Sequence, residues 1–186
     1  SLGFHSLWTT ERIFHQVNIL DSFTALTWAA AVTTRVKLGS SVVLSNLRHP
    51  LILARAVAGL DYMSGGRFIL GLGVGGHPEE FEAVGVPIRQ RPSRLEETIS
   101  ILRQVWSQPD ASFQGRRFNL KGVTVAPRPV SGKGIPILLG GSADPVLRRV
   151  VAMADGWIVS SSVASEQLRE RRQTLLRMAE EAGRDA

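Results

Sequence analysis

Residues 65–76 read GGRFILGLGVGG, and this stretch decides the fold that we predict for the whole chain. The glycine pair at its start ends a helical pattern, and the apolar residues 67–72 predict a short strand. The strand runs into a cluster of glycines, namely Gly71, Gly73, Gly75 and Gly76. Because glycine carries no side chain, such a cluster lets a ligand approach the backbone closely. We therefore predict a ligand-binding loop after this strand, with a ligand-free glycine turn as the alternative.

The same glycines satisfy the dinucleotide fingerprint G-x-G-x-x-G at Gly71, Gly73 and Gly76. That fingerprint also requires a helix directly after the glycines and an acidic residue about twenty positions further on, in a βαβ unit. Here His77 and Pro78 follow the glycines, and no predicted strand ends in an acid at that distance. We therefore reject a nicotinamide-binding Rossmann site.

The composition excludes several kinds of site and partner. The chain has 186 residues and no cysteine, so disulfides, thiolate metal sites and a cysteine nucleophile are excluded. No apolar run is long enough to span a membrane and the N-terminus lacks a signal-peptide layout, so we expect a cytoplasmic protein without a membrane partner. The net charge of +6 is spread along the chain, so no nucleic-acid partner is expected. The positive excess could still attract an anionic cofactor or substrate.

Predicted strands and helices alternate along the chain. Strands are predicted over 6–9, 36–44, 67–72, 135–139 and 157–160. Helices are predicted over 23–33 with Ser22 as the cap, from Pro50, after a capping box of Ser93 and Glu96, from Asp144, and after Ser165 as the cap. This alternation predicts an α/β protein with a parallel sheet, organised as a single domain over 1–186. Residues of about 109–134 predict a hairpin-like insertion outside that sheet.

Parallel α/β folds bind ligands at the carboxyl ends of their strands, and this rule selects five places. They are residues 11–12, 40–45, 73–77, 140–142 and 160–162. Gly140, Gly141 and Ser142 precede a helix, so they form either a phosphate site or an ordinary turn capped by Ser142 or Asp144.

Two further features of these places leave alternatives open or exclude a site. Glu11 and Arg12 are either a local ion pair or an acid and an anion-positioning group. His77 has no second His or acid at a metal-ligand spacing, so no metal site is predicted.

Five segments together resemble the bacterial luciferase-like family of flavin- or deazaflavin-dependent oxidoreductases. They are SLWTTER at 6–12, VKLGSSVVL at 36–44, RHPLILARAVAGLDYMSGGRFILGLGVGGHPEEFEAVGVP at 48–87, IPILLGGS at 135–142 and ADGWIV at 154–159. They cover nearly the whole chain in the order of the family, and the long central segment is the most specific. The glycine loop followed by EEF is more similar to the deazaflavin-using branch than to the light-emitting luciferases.

The resemblance implies a (β/α)8 barrel of the TIM type that binds coenzyme F420, a deazaflavin, or FMN at the strand carboxyl ends. It implies a bulge, often with a non-proline cis peptide, at Ser41–Val42 under the cofactor ring. It places the cofactor phosphate near Gly140, Gly141 and Ser142 and lines the pocket with the loop that contains Gly73, Gly75 and Gly76. The implied reaction is hydride transfer or monooxygenation of a small organic substrate, and helices near residues 50–63 are implied to form a homodimer.

The chain departs from the family pattern in two ways. Arg12 stands where many relatives have histidine, and an arginine cannot act as a base at neutral pH. We therefore expect Glu11 and Arg12 at the reacting face, with Arg12 holding an anionic substrate or the cofactor tail. A (β/α)8 barrel typically takes about 250 residues, so we expect an incomplete barrel without the first and last strands. A non-catalytic cofactor-binding barrel and a barrel for sugar phosphates are the alternative interpretations.

Overall fold

The computed structural model describes residues 3–132, 134–160 and 163–184. Ser161 and Ser162, which belong to the fifth predicted ligand-binding place, lie outside these ranges. In the described ranges the strands are β1 (Ser6–Thr9), β2 (Lys37–Ser40), β3 (Val43–Leu44), β4 (Phe68–Gly73), β5 (Ala111–Gln114), β6 (Asn119–Val123), β7 (Ile137–Gly140) and β8 (Gly156–Ile158). The α-helices are α1 (Ser22–Val32), α2 (Pro50–Ser64), α3 (Pro78–Ala83), α4 (Arg91–Ser107), α5 (Asp144–Met153) and α6 (Ser165–Glu181).

The main sheet is parallel, with the strand order β1-β2-β4-β7-β8 and with β3 also paired to β4. The register pairs Leu38 with Phe68 and Leu70 with Ile137, so apolar side chains of neighbouring strands stand side by side. The predicted α/β class with a parallel sheet is confirmed. Because all these strands run in one direction, their carboxyl ends lie along one edge of the sheet.

The core lies between the sheet and the helices that cross over it. Apolar side chains from the strands and from the inner stripes of α2 and α4 are almost completely buried there. They include Leu38, Leu70, Leu72, Ile137, Leu53, Val57, Ile99 and Leu102. Each such side chain contributes about 1.5–3 kcal/mol relative to an exposed position, so the sheet is a firm base for the loops at its carboxyl edge.

The predicted strand over 36–44 is interrupted. The backbone forms β2, then a cis peptide bond between Ser41 and Val42, and then the short strand β3. β2 pairs with β1 and with the start of β4, whereas β3 pairs with the end of β4 at Leu72 and Gly73. The break that the resemblance implied at Ser41–Val42 is therefore present.

The predicted caps of three helices are wrong. Asp21 rather than Ser22 caps α1 and accepts from Thr24 N at 2.9 Å, while Ser22 donates to the Thr10 carbonyl. The capping box of Ser93 and Glu96 is wrong, because α4 begins at Arg91 and Glu96 accepts from Arg149. Ser165 is the first residue of α6 and provides no side-chain cap.

Strands β5 and β6 form a separate antiparallel hairpin between α4 and β7. Its tip is fixed to α4 by Glu97, whose carboxylate accepts from the backbone amides of Arg116, Arg117 and Phe118 at 2.9–3.0 Å. The chain that returns to β7 is fixed by Asp61 of α2, which accepts from Val130 N at 2.8 Å.

Asp61 is buried, and its carboxylate also accepts from Phe68 N at the start of β4. Burial raises its pKa, although both amide bonds and Lys37 act in the opposite direction. We expect Asp61→Leu to lower the free energy of unfolding by about 2 kcal/mol, because the amides of Val130 and Phe68 lose their acceptor. Since the raised pKa makes ionised Asp61 costly in the folded chain, this loss should shrink as the pH rises above about 3.9.

Urea unfolding of both chains between pH 4 and pH 8 checks this expectation. Glu170→Ala, at an exposed position on α6, is the control and should shift the midpoint little. A loss in Asp61→Leu that grows with pH would contradict the assignment.

Among the residues that the structure describes, no helix combines the length and the apolar character that crossing a membrane requires.

Candidate cofactor and substrate site

The carboxyl edge of the sheet brings together four of the five places predicted from the sequence. Residues 11–12 follow β1, Ser41 and Val42 follow β2, residues 74–77 follow β4, and Gly141 with Ser142 follows β7. These segments come from strands that are neighbours in the sheet. The edge therefore has the position at which α/β folds bind their ligands.

Val42 stands at the centre of this edge, between the ends of β4 and β7. A Cβ atom added to Gly73 would lie 2.5 Å from Val42 Cγ2, and one added to Gly140 would lie 2.6 Å from Val42 Cγ1. Both positions must therefore be glycine because a valine side chain occupies the space beside them. The sequence predicted that these glycines leave the backbone open to a ligand. In the structure they leave room for the side chain of Val42, which is half-buried at this edge.

Gly75 and Gly76 have different surroundings. Gly75 has φ +74, and a Cβ there would lie 2.9 Å from the ring of Phe81, so both the backbone and the packing require glycine. Gly76 has no atom within 4 Å of an added Cβ. Gly76 is thus the member of the loop that borders open space, and it leaves backbone accessible next to the site.

The turn Gly140–Ser142 is partly used by the fold itself. Gly141 has φ +125, its N–H donates to Ile158 O at 3.2 Å, and its carbonyl accepts from Trp157 Nε1 at 2.6 Å. Its amide is therefore engaged and is not available to a phosphate. In the described part of the chain, no hydrogen bond uses the N–H groups of Ser142, Ala143 or Asp144. An anion site at this turn would be formed by those three amides at the start of α5.

Neither Ser142 nor Asp144 caps α5, since the N-cap residue is Ala143 and it makes no side-chain cap bond. Asp144 pairs with Arg171 of α6 instead. Within the described residues, no side chain accepts a hydrogen bond from the amides of Ser142, Ala143 or Asp144 at the start of α5.

Glu11 is buried and does not pair with Arg12. Its carboxylate accepts from Leu44 N and from Arg48 Nη1, each at 2.7 Å, and it forms an ion pair with the same arginine. Arg48 also contacts Asp21 at 3.2 Å, which links the loop after β1 to the segment before α2. The local ion pair of Glu11 with Arg12 that the sequence allowed is wrong.

Arg12 pairs with Glu80 of α3, with Nε 3.0 Å from Oε1. The same oxygen accepts from Ile13 N at 2.8 Å and from Phe14 N at 3.2 Å. The side chain of Glu80 is completely buried. Burial alone would raise the pKa of Glu80, but the hydrogen bonds from Arg12 and the two amides, together with the charge of Arg12, lower it.

Glu80 is a residue of this site that was not predicted from the sequence. The acidic segment after the glycine loop was visible in the sequence, but Glu79, Glu80 and Glu82 looked alike. In the structure only Glu80 of the three points inward, whereas Glu79 and Glu82 are exposed. A position beside the buried Phe81 does not separate them, because Glu80 and Glu82 both adjoin it, so no local signal identifies Glu80.

Arg12 borders two clefts at the sheet edge. One has a volume of about 490 Å³ and is lined by Arg12, Phe14, His15, Gln16 and Glu79. The other has about 340 Å³ and is lined by Arg12 together with Glu11, Ile13, Ile19, Leu20, Asp21, Leu47 and Arg48. Within residues 3–132, 134–160 and 163–184, no three His, Cys, Asp or Glu side chains are grouped so that they could hold a metal ion.

Comparisons with known proteins agree with this arrangement. The family described as luciferase-like monooxygenase matches residues 1–186. The F420-dependent glucose-6-phosphate dehydrogenase of Kineococcus radiotolerans is 38% identical over 140 residues, which are 73% of this chain and 41% of that protein. The crystal structure of the monooxygenase RslO1 from Streptomyces bottropensis matches with a TM-score of 0.89 and 30% identity, over 99% of this chain and 57% of that chain.

A third similar structure is the oxygenating constituent of 3,6-diketocamphane monooxygenase from Pseudomonas putida, in complex with FMN. It matches with a TM-score of 0.87 and 20% identity, over 99% of this chain and 54% of that chain, and so supports the fold alone. The parallel sheet thus matches part of the (β/α)8 barrel of these proteins, as predicted. The chain spans about half the length of the proteins it matches. With the family matched along all 186 residues, this chain belongs to the luciferase-like monooxygenase family.

Proposed function

We propose that the chain provides the cofactor-binding half of an oxidoreductase that uses coenzyme F420 or FMN. The observation that carries this proposal is the apolar side chain of Val42, which stands at the carboxyl edge of the sheet between Gly73 and Gly140. A flat aromatic ring system can pack against such an apolar surface. Glycine at positions 73 and 140 is required for it, because a side chain at either position would displace Val42. The name of the curated relative favours coenzyme F420, and the FMN complex of the structural neighbour keeps FMN as the second possibility.

The residues present fit both parts of such a cofactor. Val42 offers an apolar contact for the ring, and Gly76 borders open space beside it. The unused amides of Ser142, Ala143 and Asp144 lie at the start of α5, where the helix dipole favours an anion such as a phosphate. When bound, the cofactor would supply hydride transfer, or oxygenation in the case of reduced FMN with dioxygen.

Arg12 is our candidate for the group that contacts the substrate. It borders both clefts, and its guanidinium carries hydrogen-bond donors and no acceptor. Glu11 holds the loop after β1 through Leu44 and Arg48, and we propose a positioning role for it. We propose these roles for Arg12 and Glu11 with a small organic substrate. We also propose that residues 1–186 form a single domain.

A homodimer through α2 is part of the same proposal. Ile52, Tyr62 and Met63 on α2 are exposed apolar side chains, as is Trp28 on the neighbouring α1. Isolated exposed apolar residues are common, but several on one pair of packed helices favour a covered surface.

A redox assay tests the proposed function. Reduced F420 and reduced FMN are mixed separately with the protein and a panel of small ketones, while cofactor absorbance and dissolved oxygen are recorded. We expect faster oxidation of reduced F420 that depends on the organic acceptor and proceeds without oxygen. Oxygen consumption with reduced FMN would assign the monooxygenase reaction instead. No acceleration with either cofactor, in protein that is folded by circular dichroism, would contradict an oxidoreductase activity of this chain.

One observation favours a second candidate, a cofactor-binding barrel without turnover. Both residues expected at the reacting face are engaged in ion pairs, Glu11 with Arg48 and Arg12 with Glu80. Saturable cofactor binding together with no turnover in the same assay would support this candidate.

A further inference from the structure

We propose that Glu80 is a positioning residue that directs the terminal nitrogens of Arg12 into the cleft, where they bind an oxygen atom of the substrate. This inference rests on the proposed function for its substrate, but the contacts that carry it do not involve the cofactor. It identifies the substrate group at Arg12 as a carbonyl, hydroxyl or carboxylate oxygen.

Glu80 contacts only one of the three guanidinium nitrogens of Arg12. The carboxylate engages Nε alone, at 3.0 Å. The two terminal nitrogens have no hydrogen-bond partner in the part of the chain that the structure describes. The side chain of Arg12 keeps 29% of its accessible surface and borders both clefts. Two parallel N–H donors on a planar group suit an oxygen acceptor, and they remain available for one.

Glu80 also binds the backbone of the loop after β1, in addition to the side chain of Arg12. Its Oε1 accepts from the amides of Ile13 and Phe14, the two residues that follow Arg12. Glu80 therefore fixes the backbone from which Arg12 extends and also the guanidinium at its end. Because α3 follows the glycine loop directly, the same contact ties the loop after β1 to the loop after β4.

The second carboxylate oxygen of Glu80 is buried without a hydrogen-bond donor. All the hydrogen bonds that the Glu80 carboxylate accepts go to Oε1, while Oε2 is buried and has no partner in the described residues. A buried carboxylate oxygen without a donor is destabilising, so Oε2 adds a cost that the hydrogen bonds to Oε1 must offset. Such a cost is typical of a residue kept for the geometry of a site.

Three variants separate positioning from simple stability. Glu80→Gln keeps an oxygen that can occupy the place of Oε1 and removes the charge. Glu80→Ala removes every contact. Glu82→Gln changes an exposed carboxyl on the same helix and is the matched control.

The first measurement is hydrogen exchange at the amides of Ile13 and Phe14, which requires no cofactor. We expect Glu80→Ala to lose about tenfold or more of the protection at both amides, whereas Glu80→Gln and Glu82→Gln stay within about threefold of the original chain. Unchanged protection in Glu80→Ala would overturn the loop contact.

The second measurement follows the side-chain ¹⁵N resonances of Arg12 during titration with acetone, 2-propanol and acetate. The original chain and Glu82→Gln should show saturable shifts with at least one of these oxygen-bearing probes. In Glu80→Gln the dissociation constant should rise about tenfold, because the charge-assisted bond to Nε is lost while the loop stays in place. Equal affinity in Glu80→Gln, or no saturable shift in the original chain, would overturn the proposal.

These two measurements are independent of the redox assay. A protein that binds neither cofactor but shows the expected exchange and probe shifts would contradict the proposed function and leave the role of Glu80 supported.

Discussion

Arg67→Met is expected to lower the free energy of unfolding by about 4 kcal/mol, the largest stability effect that we predict for a single substitution. Arg67 precedes β4, and its guanidinium donates to the carbonyls of Ala30, Thr33, Val36 and Ser64 and to the Thr33 hydroxyl, at 2.7–3.2 Å. Three of these acceptors lie at the ends of α1 and α2, where carbonyl groups have no partner within the helix. The substitution would leave these carbonyl groups without the donor that Arg67 provides.

The planar shape of the guanidinium matters as much as its charge. Arg67→Lys should recover less than half of the loss, because an ammonium group has three donors and cannot reach acceptors on both helices. Arg148→Met, at an exposed position on α5, should change stability by less than about 0.5 kcal/mol. Urea unfolding followed by tryptophan fluorescence provides these values. A loss below about 1 kcal/mol for Arg67→Met would show that water replaces the arginine at these carbonyls.

Gly140→Val is expected to weaken cofactor binding about 100-fold, which is the largest functional effect that we predict. An added Cβ would lie 2.6 Å from Val42 Cγ1, which is too close for two carbon atoms that are not bonded. Val42 must therefore move out of its position. Gly73→Ala acts on the opposite side of the same valine, with 2.5 Å to Cγ2, and should have an effect of the same kind. The two substitutions test one surface from two strands.

Gly132→Ala is the control for these glycine variants, because no atom lies within 4 Å of a Cβ at that position. Its cofactor affinity should match that of the original chain. Isothermal titration with the cofactor that binds provides the comparison, and thermal unfolding of each variant checks that the fold is retained. Equal affinity in Gly140→Val and the original chain would remove Val42 from the site.

Much of the fold was predictable because the signals that produce it are local. The apolar runs that become β4 and β7, the proline that begins α2 and the glycine pair that ends it are all visible in a few residues. The helix caps were less predictable. Glu96 is at the right spacing from Ser93 for a capping box, but Arg149 from a distant helix takes its carboxylate. Spacing describes which partners are possible, and tertiary contacts decide which one is used.

The site shows the same limit more sharply. Glu11 and Arg12 are adjacent in sequence, yet they contact different elements, Arg48 before α2 and Glu80 in α3. Both residues lie in the loop after β1, where adjacency in the sequence does not require a shared partner. The glycines at positions 73 and 140 were correctly placed at the carboxyl edge, but the valine for which they leave room could not be inferred from their spacing.

Fluorescence titration of the chain and of Gly140→Val with FMN and with coenzyme F420 tests most directly whether the carboxyl edge around Val42 holds the cofactor. Our account predicts saturable binding of one of the two cofactors by the original chain and a dissociation constant about 100-fold higher in the variant. A folded chain that binds neither cofactor, or a variant that binds as tightly as the original, would contradict it.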